Sequence, residues 1–219
     1  MTPNRKHFIV ELNDLNLKVS GMGQEVYQSY VKLISVCKTN DLDLAEQIME
    51  QDKYVNELEV SINVDAYLLI AKQCPVASDL RRIITALKIS NELERIGDYT
   101  VNIAKYIVKS KNQNDYFLRS IVELSEIFME MLEEIMEAFD TENIELALKV
   151  NDSDEELDER YKKMVRDLIN YAKTASEEEI EEAMRALLVL KQLERAGDHV
   201  TNIAENIVYL VNGKRVELN

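Results

Sequence analysis

Two stretches of the chain set acid, base and glycine together inside an otherwise apolar pattern. They are LERIGDYTVNIAKYIV, beginning at Leu93, and LERAGDHVTNIAENIV, beginning at Leu193, one hundred residues later. Between residues 93–108 and 193–208 ten positions are identical, more than apolar periodicity explains, and an internal duplication is inferred. On a helix Glu94, Asp98 and Asn102 recur every fourth residue, each turned about 40° from the last, and form one stripe of oxygen atoms. Glu194, Asp198 and Asn202 repeat it. Gly97 and Gly197 lie inside the stripe, where a mid-helix glycine costs about 1 kcal/mol relative to alanine. That two of only five glycines fall here points to close approach of another helix or of a bound group.

Partners for the stripe are expected on the preceding helix, because residues equidistant from the turn of an antiparallel pair lie at one height. With the first turn at Pro75, Asp52 and Asp98 are each 23 residues away, and Asn56 and Glu94 are each 19 away. With the second turn at Ser176, Asp154 and Asp198 are 22 residues away, and Asp158 and Glu194 are 18. Each site therefore collects like charges. Held close, they raise one another's pKa values or strain the fold, whereas a multivalent cation converts the repulsion into binding. An oxygen-rich set without cysteine favours hard or borderline cations, iron, manganese or magnesium, over zinc. Asn102, Asn202, Arg95 and Arg195 would stand just behind the ligands, and His199, read as a surface histidine, could add one. The competing reading is a solvated acidic face on which Arg95 and Arg195 are structural pairs or surface contacts.

Other chemistries find no residues to carry them. The only histidines, His7 and His199, do not follow a Glu at the spacing of a ferritin-like di-iron site. No Walker loop or GxGxxG occurs, and two histidines in a helical chain leave little from which to build a Ser-His-Asp set. Cys37 and Cys74 form no CxxC pair and are read as buried, reduced thiols.

The elements that would hold these residues are helices. With two prolines and five glycines the chain is poor in breakers, and 46% hydrophobic residues are ample for a core. Apolar residues at helical spacing from Phe8 to Val36 predict a first helix ending before KTND, with Thr39 or Asn40 capping the second. The second runs to Cys74, where Pro75 breaks the ladder. A third helix over 78–110, a polar connection KNQND and a fourth helix through Leu118 to Ile135 follow, ended by DTEN. A fifth covers 142–174, SEEE at Ser176 reads as a capping box for the sixth, and Gly213 stops it. The expected fold is all-α: two tandem, antiparallel three-helix bundles over 1–111 and 112–219, sharing one elongated, spectrin-like body.

Forty-one acidic against 26 basic residues give a net charge of −15, which disfavours nucleic acid and anionic lipid. The opening MTPNRKHFIVELND has no apolar leader segment, and no uncharged run approaches the ~18 residues a membrane span needs, so a cytoplasmic chain is expected.

The stretch PVASDLRRIITALKISNELERIGDYTVNIA resembles the first signature of the PhoU-type phosphate-transport regulators, and LERAGDHVTNIAENIVYLVNG resembles the second. Weaker similarity, including HFIVELNDLNLKVSGMG, extends over essentially the whole chain. The resemblance implies a cytoplasmic, often dimeric regulator and no enzyme. Such proteins link the ATPase subunit of the phosphate ABC transporter to the sensor histidine kinase of the starvation response, repressing that response when phosphate is plentiful. It also implies metal clusters at the E/DxxxD motif, here Glu94 with Asp98 and Glu194 with Asp198, and at Asp52 and Asp154, with Asn56 and Asp158 one turn on. Asn56 departs from the usual acid, so a less charged first site is expected. Arg81 and Arg82 correspond to Glu181 and Glu182 in the duplicate, so their role is not common to both halves. A metal-free helical scaffold is the alternative function, and a metal-dependent hydrolase would lack an assignable base.

Overall fold

The computed structural model describes residues 3–109 and 115–218. Within them run six helices: α1 Pro3–Thr39, α2 Leu42–Gln73, α3 Ala77–Lys109, α4 Asp115–Thr141, α5 Ile144–Ala172 and α6 Glu177–Asn212. Residues 111–114 of the expected KNQND connection, Ser110, and the expected divide between halves at 111/112 lie outside the described residues.

Local chemistry sets the turns. Asn40 takes a left-handed backbone, φ 55°, which an amide side chain tolerates, and so closes α1. The cap of α2 consequently falls one residue beyond the expected pair, on Asp41, whose carboxylate accepts from Asp43 N and Leu44 N. Cys74, φ 45°, ends α2 immediately before Pro75. Glu142 turns at φ 51° and Asn143 caps α5 by accepting from Leu146 N, which starts that helix at Ile144 and not at 142. The capping box of Ser176 and Glu179 opens α6, and Gly213, φ 69°, closes it.

Each half is a three-helix bundle: α1, α2 and α3 pack mutually, as do α4, α5 and α6. The halves are joined by α1 against α4 and α3 against α6. Four helices, α1, α3, α6 and α4, thus close a ring around a shared core, with α2 and α5 on its opposite outer edges. The buried apolar side chains of all six helices form one continuous cluster. At the α1/α4 seam the fully buried rings of Tyr30 and Phe128 stack with centroids 4.4 Å apart. Burial drives the Tyr30 phenol pKa well up, so it stays neutral.

The cysteines differ from expectation in one respect. Cys37 is buried and its thiol is pushed up to about 12 by burial, but Cys74 is exposed, because the left-handed turn residue projects from the end of α2.

Because both repeats draw on one core, denaturant should unfold them in a single transition. Phe128→Ala should cost about 3–5 kcal/mol without splitting that transition, as followed by circular dichroism in urea.

Candidate functional site

The apolar seams of the two outer helices hold the acids in place. On α2 the buried Ala45, Ile48, Val55, Ile62 and Ala66 anchor one face, leaving Asp52 and Asn56 at its margin beside α3. Gly97 turns toward Asp52 and Val55: a Cβ built on it would lie 3.5 Å from Asp52 Oδ1 and 3.5 Å from Val55 Cγ1. Gly197 is tighter, since its Cβ would lie 2.5 Å from Leu157 Cδ2 and 2.7 Å from Asp154 Oδ1. At Gly197 a methyl group would displace the ends of the Leu157 and Asp154 side chains, whereas the first glycine leaves room for one.

At the first site Asn56 Nδ2 donates to Asp52 Oδ2 at 3.3 Å. Asp52 Oδ1, Asn56 Oδ1 and Glu94 Oε2 are buried and accept no hydrogen bond. Burial, then the charge of Asp98, raises the Asp52 carboxyl, against the Asn56 hydrogen bond and Lys105. Glu94 is raised by burial and by Asp98, opposed by Arg95, with Glu59 and Asp52 adding to the rise. The Arg95 guanidinium lies 3.4 Å from Glu94 and 3.7 Å from Asp98. Glu59 is a site residue that the hairpin construction missed. It lies seven residues after Asp52, two turns along the same face, where Asn63 donates to it and its charge reaches Glu94. Glu155 contributes in the same way to Asp154 in the other half, so with Asn56 in place of Asp158 the first cluster keeps one acid fewer than the second.

At the second site Asp154, Asp158, Glu194 and Asp198 act on one another. Burial first, then Asp198, Asp158 and Glu194, with Glu155 beyond them, raise the Asp154 carboxyl from 3.8 to about 7. Asp198 is raised by burial and Asp158, and is opposed by Lys191, His199 and Arg195. Lys162 Nζ lies 3.1 Å from Asp158, and Lys191 pairs with Glu194, whose Oε2 is buried without a hydrogen bond. Tyr161 occupies the place of Glu59 in this copy, with the Lys191 ammonium 5.5 Å from its ring centre.

The seven acids and one amide paired by height across the two hairpins thus lie in two clusters, one per half. Among the described residues no three Asp, Glu, His or Cys side chains already converge on a point that would hold one ion. The donors are nevertheless all oxygen, several buried and unpartnered, and that chemistry fits a hard cation after side-chain rotation.

The residues expected behind the ligands divide. Arg95 stays with Glu94 and Asp98. Asn102 is exposed. Asn202 leaves its stripe and donates across the seam to Glu92 Oε2 of α3 at 3.2 Å, while Arg195 lies over the Tyr99 ring at 5.4 Å. His199 is not a surface histidine. Its Nε2 is 3.1 Å from Tyr99 Oη and its Nδ1 is 2.5 Å from Glu92 Oε2, because α3 and α6 cross where the equivalent positions 99 and 199 meet. The arginines of DLRR also bind across halves: Arg81 Nε donates to Leu210 O at 3.4 Å at the end of α6, and Arg82 pairs with Glu142 in the α4/α5 turn. At the other end of the seam Tyr106 Oη donates to Glu182 at 2.7 Å.

The sequence profile of the PhoU domain matches the chain twice, over residues 19–107 and 121–207. The chain belongs to the PhoU family. It is 31% identical over 217 residues to the phosphate-specific transport system accessory protein PhoU homolog of Clostridium acetobutylicum, covering 98% of this chain and 99% of that one. It is 35% identical over 208 residues to the phosphate-specific transport system accessory protein PhoU of Escherichia coli, covering 94% and 86%. The crystal structure of PhoU from Pseudomonas aeruginosa superposes with a TM-score of 0.86 at 31% identity, covering 94% of this chain and all (100%) of that one. That of the phosphate transport system regulatory protein PhoU from Streptococcus pneumoniae gives 0.86 at 27% identity, covering 96% and 99%. The all-α duplicated architecture is therefore the family's.

The raised Asp154 carboxyl has a pH signature. A folded-state pKa near 7 against 3.8 means that protonation favours the fold. This contribution is complete below about pH 4 and is lost as pH rises through about 7. In chelator-treated protein, Asp154→Asn should raise Tm at pH 8 and change it far less at pH 4, as read by calorimetry.

Proposed function

We propose that this protein is a regulatory accessory component of a phosphate-specific transport system. In this reading it is an adaptor between the ATPase subunit of the phosphate ABC transporter and a sensor histidine kinase, and it represses the starvation response when phosphate is plentiful. The observation that carries the reading is the doubled PhoU-domain match together with relatives of that name aligned along nearly the full chain. The reading places the protein in the cytoplasm as a homodimer without catalytic activity. Among the described residues no helix is long and apolar enough to cross a membrane, and the net charge of −15 argues against a nucleic-acid partner.

Each acidic cluster is proposed to hold metal: Asp52, Asn56, Glu94 and Asp98, aided by Glu59, in the first half, and Asp154, Asp158, Glu194 and Asp198 in the second. A bound iron, manganese or magnesium ion would supply the positive charge that these carboxylates lack. Its binding competes with Arg95, Lys162 and Lys191, which already neutralise part of each cluster. Those same pairs, and the absence of a converged trio among the described residues, favour a second reading in which the clusters are metal-free and serve partner contact.

Deleting the gene should derepress phosphate-starvation genes in high phosphate, measured by transcript level; unchanged expression rules out the regulatory role. Elemental analysis of purified protein separates the metal readings. Asp98→Ala and Asp198→Ala should each remove the metal of their own half, and undiminished content in the double variant would place the ligands elsewhere.

A further inference from the structure

Single exposed apolar side chains are ordinary on protein surfaces, but α2 carries an ordered set. Val60, Val64, Tyr67 and Leu68 follow i, i+4, i+7, i+8 spacing on its outer face, with 59%, 50%, 61% and 45% of their surface exposed. Below the same stripe, toward the start of α2, the exposed residues include Asp43, Glu46, Glu50 and Glu57, with Lys53 among them. Beside Leu68 and Leu69 a cleft of about 240 Å³ opens toward α1, where Glu11 and Asp14 add further acid around Lys18 and Lys72.

The duplication supplies an internal control. The caps Asp41 and Asn143 set α2 and α5 in one register, in which buried Ala45, Ile48, Val55, Ile62 and Ala66 match buried Ala147, Val150, Leu157, Met164 and Leu168. In that register Val60, Val64 and Leu68 correspond to Lys162, Arg166 and Asn170, and only Tyr67 keeps an apolar counterpart, Ile169. The bundle packs with polar residues at these positions, so its own packing does not require the apolar stripe of α2.

We propose that the outer face of α2 is a docking surface for a basic amphipathic helix of another protein, its apolar turns on Val60, Val64, Tyr67 and Leu68 and its Lys/Arg turns over Asp43 to Glu57. From Asp43 to Leu68 the face is ~38 Å long, room for a helix of ordinary length. Charge selects this occupant over a second copy. A two-fold pairing centred on the stripe leaves Asp43, Glu46 and Glu50 without positive partners, so the homodimer of the regulatory reading uses another face. The inference goes beyond the regulatory reading and needs neither phosphate nor metal, so it can fail or survive independently.

The test uses the full chain and a synthetic labelled helical peptide with Leu at i, i+4, i+7 and i+8 near one end and Lys/Arg along the other. A scrambled peptide of identical composition is the control, and binding is read by fluorescence anisotropy at two salt concentrations. The variant V60K/V64R/L68N copies the α5 sequence, and its fold is checked by circular dichroism. It should bind the ordered peptide at least about tenfold more weakly than the parent. E46K/E50K should also weaken binding and flatten its salt dependence. Three outcomes overturn the proposal: equal affinity for ordered and scrambled peptides, undiminished binding by a folded triple variant, or a parent dimer in sedimentation that the triple variant dissociates, which would assign the face to a second copy.

Discussion

Carboxylates confined beside an apolar seam are the constraint around which each half is arranged. In water, unit charges 4 Å apart repel by about 1 kcal/mol, and by several-fold more near a protein surface. Here burial, with that repulsion added, raises the Asp154 carboxyl from 3.8 to about 7. What holds the acids together is apolar packing beneath them, Val55 in one half and Leu157 in the other, both buried. Gly197 leaves the space in which the ends of Leu157 and Asp154 lie against α6. Such an arrangement costs stability unless a cation, a basic side chain or a proton relieves it, and Arg95, Lys162 and Lys191 relieve part of it here.

Much of this is legible in the chain itself. Helix length, turn chemistry at Pro75 and Ser176, and counting outward from those turns suffice to bring Asp52 to Asp98 and Asp154 to Asp198. Counting gives height but not which neighbouring turn joins in, so Glu59 escapes it although its i+7 spacing from Asp52 is visible once the face is known. His199 escapes for a different reason: its partners Tyr99 and Glu92 are on α3, across a seam between halves that no local pattern encodes. The exposure of Cys74 and the shift of the α2 cap to Asp41 both follow from single residues adopting left-handed backbone, Cys74 and Asn40. For cysteine in particular nothing in composition foretells it.

The two copies have kept their buried register and diverged wherever they meet other elements. At the α3/α6 seam an Arg81 contact at one end faces a Tyr106 to Glu182 bond at the other, so the same crossing is held by different chemistry. Tyr99 and His199 differ at the very point where the repeats touch. On the outer edges Val60, Val64 and Leu68 of α2 stand where α5 has Lys162, Arg166 and Asn170. A duplicated fold with a single core can afford such divergence, because the ring of α1, α3, α6 and α4 fixes the frame and frees the outer helices for distinct contacts.

The proposed cation sites rest on gathered carboxylates, one of which, Asp154, is raised to about 7 by burial and then by its acidic neighbours. Proton release on metal binding tests them most directly. Mn²⁺ titrated by calorimetry into chelator-treated protein near pH 6.5, in two buffers of different ionisation enthalpy, should liberate protons. Asp154→Asn should abolish most of that release. Binding with no proton release, or release unchanged in Asp154→Asn, would contradict the account.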